Sequence, residues 1–114
     1  MTLSELNERY YFQDSTLEKL EYSDGELKLY VRFCDFMQEN YDDRDDSNSD
    51  IIVVFQNARY KTDGNWKICD AGFLHQKIEN DSIFFFMESS PYECGELLIK
   101  ARSVEVYKVR TYNL

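Results

Sequence analysis

The feature that most constrains this chain is a short stretch of strict alternation. Leu27, Leu29, Val31 and Phe33 are apolar, while Lys28, Tyr30 and Arg32 between them carry polar groups. A period of two sends one set into a core and the other to water, which is a half-buried antiparallel strand. Just before it stands Ser23-Asp24-Gly25-Glu26. Asp-Gly accepts the positive φ angles of a two-residue hairpin turn, so Thr16–Ser23 is predicted to be the partner strand, with Leu20 and Tyr22 on one face.

The rest of the chain repeats this grammar. Ile51–Lys61 opens with Ile51, Ile52, Val53, Val54 and Phe55, apolar on both faces, and reads as a central strand. Thr62-Asp63-Gly64-Asn65 repeats the turn signal and predicts a further strand over Trp66–Asp70. Ala71–Asn80 is ambiguous, because Leu74 and Ile78 stand at helical spacing. Ser82–Glu88 predicts a strand around Phe84-Phe85-Phe86, and Ser89–Gly95 a loop holding the single proline, Pro91. Glu96–Arg102 and Val104–Arg110 read as two short strands, or one long strand bulged near Ser103. At the start, Thr2-Leu3-Ser4-Glu5 fits a capping box, and Leu3, Leu6 and Tyr10 predict a helix over Leu3–Tyr11. One short N-terminal helix with six to eight strands predicts a mainly β fold, α+β by count. The architecture would be an antiparallel β-sandwich or partly open barrel. At 114 residues, 1–114 is one domain.

Charge narrows the class of function. The net charge of −9 falls wholly on residues 1–50, the remainder summing to zero. Such a chain repels phosphate backbones and anionic lipid, so neither nucleic acid nor membrane is an expected partner. The apolar runs Ile51–Phe55 and Ile83–Met87 are far too short to span a bilayer. Met1–Tyr11 is acidic and lacks the basic and apolar regions of a signal peptide, which predicts a cytoplasmic protein. Three cysteines, Cys34, Cys69 and Cys94, without close pairs, agree with a reducing compartment and predict inert, half-buried thiols.

Motifs that carry chemistry are sparse. Cys34, Cys69, Cys94 and His75 have the composition of a zinc site or a Cys–His nucleophile but not the spacing, since structural zinc sites pair ligands two to four residues apart. Glu88, Glu93 and Glu96 read as strand ends meeting water. No phosphate loop, nucleophile elbow or metalloprotease helix is present. No enzyme activity and no cofactor are expected. A small-molecule-binding β domain and a small Cys/His enzyme are the alternatives.

The acidic run Asp42-Asp43-Arg44-Asp45-Asp46-Ser47-Asn48-Ser49-Asp50 has nothing to bury and repels itself, which predicts a mobile loop over residues 40–50. It lacks the glycine and the terminal glutamate of an EF-hand. An anionic loop on a rigid sheet is suited to steering a basic protein partner. Tyr41, Asp42, Asp43, Asp45, Asp46 and Asp50 are the predicted partner-binding residues. Tyr60, Tyr92 and Tyr112 are further aromatic anchors of the kind interfaces favour.

Three stretches carry a family resemblance. They are Asp14–Leu20 leading into Asp24–Leu29, the strand Val53–Ala58, and the closing Gly95–Val106. Together they resemble small β-rich bacterial proteins similar to the immunity proteins of toxin systems. Such sequences carry a His before the Asp-Ser; here that position is Gln13. The resemblance implies a non-catalytic protein that binds and neutralises a toxin domain, and it implies no catalytic residue.

Overall fold

The Asp24-Gly25 hairpin forms as its residues dictate, and the sheet grows outward from it. A computed structural model of the chain describes residues 1–34, 48–90 and 92–109. β1 (Thr16–Ser23) and β2 (Glu26–Cys34) pair across the turn. Asp24 at φ 52° and Gly25 at φ 77° take the left-handed conformation a tight hairpin needs. The later strands are β3 (Asn48–Gln56), β4 (Arg59–Gly64), β5 (Ala71–Glu79), β6 (Ser82–Ser90), β7 (Glu93–Lys100) and β8 (Ser103–Val109). Every pairing is antiparallel, in the order β4-β7-β6-β5-β1-β2-β3-β8.

Two seams join the halves of this sheet. At the first, β1 meets β5 through only Thr16↔Gly72 and Leu17↔Ala71. At the second, the chain itself turns the corner, β3 running into β4 and β7 into β8. One register survives the bend: Val54 faces Glu105, Gln56 faces Ser103, Arg59 faces Lys100 and Gly64 faces Gly95. The four strands are therefore one long two-stranded ribbon folded over on itself. Asn57 makes the bend at φ 51°, and the corner is held by Ala58 N–H to Gly25 O (2.7 Å) and Arg102 N–H to Gln56 O (3.0 Å). Strands that switch layers through a bend are how a sandwich makes its corners. The sheet is not closed, with β4 and β8 as its edges, so the predicted antiparallel sandwich or partly open barrel is what forms.

One core fills the space between the halves. Leu27, Leu29, Val31 and Phe33 point inward as their alternation requires, toward Ile83, Phe85 and Met87 of β6 and Leu97 and Ile99 of β7. Phe12 sits among Phe33, Phe73 and Phe85 at ring distances of 5.4, 5.4 and 5.2 Å. Each such pair contributes about 0.5–1.5 kcal/mol beyond simple burial. α1 (Leu3–Arg9) closes the N-terminal side with Leu3 and Leu6 buried, and both capping-box hydrogen bonds form (3.1 and 3.0 Å). Gln76, buried on β5, latches this region. Its Oε1 accepts from Phe12 N–H (2.7 Å), and its Nε2 donates to Asn7 Oδ1 (2.9 Å) and Tyr10 O (2.8 Å).

Three local expectations are corrected. Trp66–Asp70 is not a strand: β4 pairs with distant β7, and Trp66 folds back, its indole N–H donating to Asp63 O (3.0 Å). Ile51–Lys61 is not continuous but breaks at the Asn57 bend. The acidic stretch is strand from Asn48 onward, because pairing with β2 reaches Cys34 and sets Asp50 opposite Arg32. Residues 40–47 lie outside the described residues. On β6, Phe84 and Phe86 face outward, opposite to Phe85 in the core. Those two outward rings are half-buried under Lys77, whose Nζ lies 5.1 and 5.6 Å from their centroids. Ala71–Asn80 resolves to strand. The bulge between Phe73 and His75 inserts Leu74, which breaks the period of two and creates the false helical spacing.

Candidate binding surfaces

Tyr41, Asp42, Asp43, Asp45 and Asp46, together with Tyr112, lie outside the described residues. Asp50 stands on β3, directly opposite Arg32 on one side and Val109 on the other. It belongs to the outward face of β1-β2-β3-β8. The middle rung of that face is Lys19, Tyr30, Ile52 and Tyr107, with Val109 alongside Asp50. Tyr107 is 56% exposed and Val109 44%.

Charges on this face are matched. Lys19 Nζ meets Glu21 Oε1 at 2.8 Å, Arg32 Nε meets Glu18 Oε1 at 3.1 Å, and Lys28 Nζ meets Glu26 Oε1 at 3.5 Å. Gln56 also donates to Glu26 (3.0 Å). The Lys19 hydrogen bond holds the Glu21 carboxyl below its ordinary range, and the same contact raises the Lys19 ammonium. On β8, Glu105 Oε1 lies 3.3 Å from the N-terminal ammonium.

The outward face of β4-β7-β6-β5 is built differently. Across the β4–β7 ladder Asp63 stands opposite Glu96, and Arg59 stands opposite Lys100. Like charges directly opposite each other on neighbouring strands repel. Between these rungs lie Lys61 and Leu98, followed on β6 by Phe84. At the acidic end an open depression of about 350 Å³ is lined by Asp63, Gly64, Leu74, Phe86, Cys94 and Glu96, with Met87 and Gly95 beneath. Gly64 and Gly95 form its waist. A Cβ on Gly95 would run into the Asp63 carbonyl and the Trp66 ring, and one on Gly64 into the Cys94 carbonyl. Only glycine permits this approach of the two strands.

Side groups at that end are set by neighbours. Cys94 Sγ faces Glu88 Oε2 at 3.6 Å, and its thiol is pushed up by desolvation against the sheet and by that carboxylate. A raised thiol is a poor nucleophile. The Glu93 carboxyl is held below its ordinary range by the Ser90 hydroxyl (2.7 Å) and by Lys67 (3.6 Å). Asn65 fixes the neighbouring loop, donating to Tyr92 O (3.1 Å) and accepting from Cys94 N–H (3.1 Å). Tyr92, at φ 100°, is 95% exposed. Tyr60 instead packs on Tyr22, with centroids 5.2 Å apart.

The residues considered for zinc or thiol chemistry do not converge. Among the described residues no three His, Cys, Asp or Glu side chains are gathered as a metal would need. Cys34 is half-buried beside Ser15, while Cys69 and Cys94 are exposed, which corrects the expectation of three half-buried thiols. His75 lies exposed against Phe86 at 5.8 Å. Gln13, standing where the family resemblance expects His, accepts a hydrogen bond from the Tyr11 hydroxyl. No helix among the described residues is long and apolar enough to cross a membrane. The Asp63–Glu96 rung was invisible in the sequence, because only the non-local β4–β7 register brings the two carboxylates together. Comparison with known protein families, with curated proteins and with solved structures finds no match to this chain.

Proposed function

We propose that this protein is a non-catalytic binding protein of the immunity type, one that caps a basic surface of a toxin domain in the cytoplasm. The observation that carries the reading is the concentration of the whole −9 charge in residues 1–50, culminating in Asp42, Asp43, Asp45, Asp46 and Asp50 beside Tyr41. Such a field accelerates encounter with a cationic surface and orients it on arrival. Asp50 shares its sheet face with Tyr30, Ile52, Tyr107 and Val109, an apolar and aromatic band with a charged border. That composition suits the centre and rim of a protein interface. The resemblance of Asp14–Leu20 with Asp24–Leu29, Val53–Ala58 and Gly95–Val106 to small β-rich bacterial proteins similar to immunity proteins supports the same reading.

The test is protection and kinetics. The reading expects a large toxin-like reading frame beside the gene, and co-expression of the two should rescue growth. Converting Asp42, Asp43, Asp45 and Asp46 together to Asn should slow association about tenfold or more at low salt and flatten its salt dependence. Rescue that fails, or association kinetics that stay unchanged in the quadruple variant, contradicts the proposal.

A further inference from the structure

We infer that the depression at the acidic end of the β4–β7 ladder receives an Arg or Lys side chain presented between apolar neighbours on an extended segment of another protein. The inference deepens the reading above by naming a second contact and its chemistry. The floor is apolar: Phe86 is half-buried, Met87 is beneath it, and Leu74, extruded by the β5 bulge, is 47% exposed. The walls are Asp63 and Glu96, directly opposed on adjacent strands. Among the described residues neither carboxylate has an ion-pair partner. Asp63 Oδ1 accepts only from the Gly64 N–H (2.8 Å).

Two like charges set face to face over an apolar floor destabilise the free protein, and a cation from outside relieves both at once. Gly64 and Gly95 line the depression with bare backbone, and a side chain at either would collide with the opposite strand. Position is specified as well. The same ladder carries Arg59 opposite Lys100 at its other end, which repels a cation from there. A basic residue is thus admitted at one end of the strip only. Its apolar neighbours have Leu74 and the Phe86 ring to pack on.

The test uses the whole ¹⁵N-labelled protein and a defined probe, the tripeptide acetyl-Leu-Arg-Leu-amide. Its citrulline counterpart keeps the shape and removes the charge. The arginine tripeptide is expected to shift the amide signals of Asp63, Gly64, Leu74 and Glu96, with the citrulline form roughly tenfold weaker, the scale of one charge-assisted contact. Glu96→Lys supplies an internal cation opposite Asp63 and should abolish the shifts. Asp63→Asn should weaken them several-fold in a chain whose fold is undisturbed. Equal binding of the citrulline form, shifts spread over the acids of both sheet faces, or shifts retained in Glu96→Lys would each overturn the site. Calcium chloride reproducing the same shifts at lower concentration would also overturn it, in favour of a metal. The readout does not involve the toxin, so loss of this site and loss of the immunity reading are separate results.

Discussion

The outward face of β1-β2-β3-β8 and the β4–β7 ladder handle charge in opposite ways. On β1-β2-β3-β8, carboxylates sit against cations within the chain: Glu21 with Lys19, Glu18 with Arg32, Glu26 with Lys28, and Asp50 opposite Arg32 in register. On β4-β7-β6-β5, the ladder stacks Asp63 on Glu96 and Arg59 on Lys100. The first arrangement is what solubility and register require. The second works against the stability of the free chain, and proteins retain such features where a site needs them. The difference separates a face whose carboxylates are paired within the chain from a ladder whose end rungs are like-charged.

The comparison breaks most violently at the glycine waist. Gly95→Ala forces backbone apart between β4 and β7 and should cost about 3 kcal/mol or more in urea unfolding, overpacking having no flexible neighbour to yield. Next comes Gln76→Leu, which leaves the buried Phe12 N–H and the carbonyl of Tyr10 without their partner. A loss of about 2–3 kcal/mol is expected, because unsatisfied buried groups carry their full desolvation cost. Glu96→Lys acts in the other direction. It turns a repulsive rung into an attractive one and should stabilise the protein by about 0.5–1 kcal/mol, against a small loss for a comparable reversal on the matched face.

The smallest effect is a pH dependence, read as the acid limb of the stability curve. Glu5, Glu21 and Glu93 have carboxyls held below their ordinary range, by the Thr2 backbone N–H, by Lys19 and by Ser90 respectively. A carboxyl depressed in the folded state stabilises it above the ordinary carboxylate range, and that contribution is lost as pH falls through the depressed value. Stability should therefore decline on acidification below the ordinary range. Glu21→Gln should blunt the decline slightly, since Glu21 is exposed and solvent-screened.

What the sequence discloses follows from range. The Asp24-Gly25 hairpin, the inward set Leu27 to Phe33 and the capping box at Thr2 are local, and each is legible because its partner lies within a few residues. The second Asp-Gly misleads for the same reason. Asp63-Gly64 looks like a hairpin turn, but β4 takes its partner from β7, and Trp66 caps the bend as an indole, not as a strand residue. Leu74 misleads because a bulge adds one residue and shifts the period. The acidic run was plain in the composition, whereas the opposed carboxylates Asp63 and Glu96 exist only as a product of non-local register. The single unbroken register through the Asn57 bend, which positions that rung, has no sequence signature either.

The most direct measurement is a double-mutant cycle between Asp63→Asn and Glu96→Gln, read as unfolding free energies at neutral pH and low salt. An unfinished face predicts that each single variant is more stable than the parent and that the double gains less than their sum, a repulsive coupling of about 0.5 kcal/mol. A coupling of zero, or single variants less stable than the parent, would mean that the two faces do not differ and that no cation is wanted there.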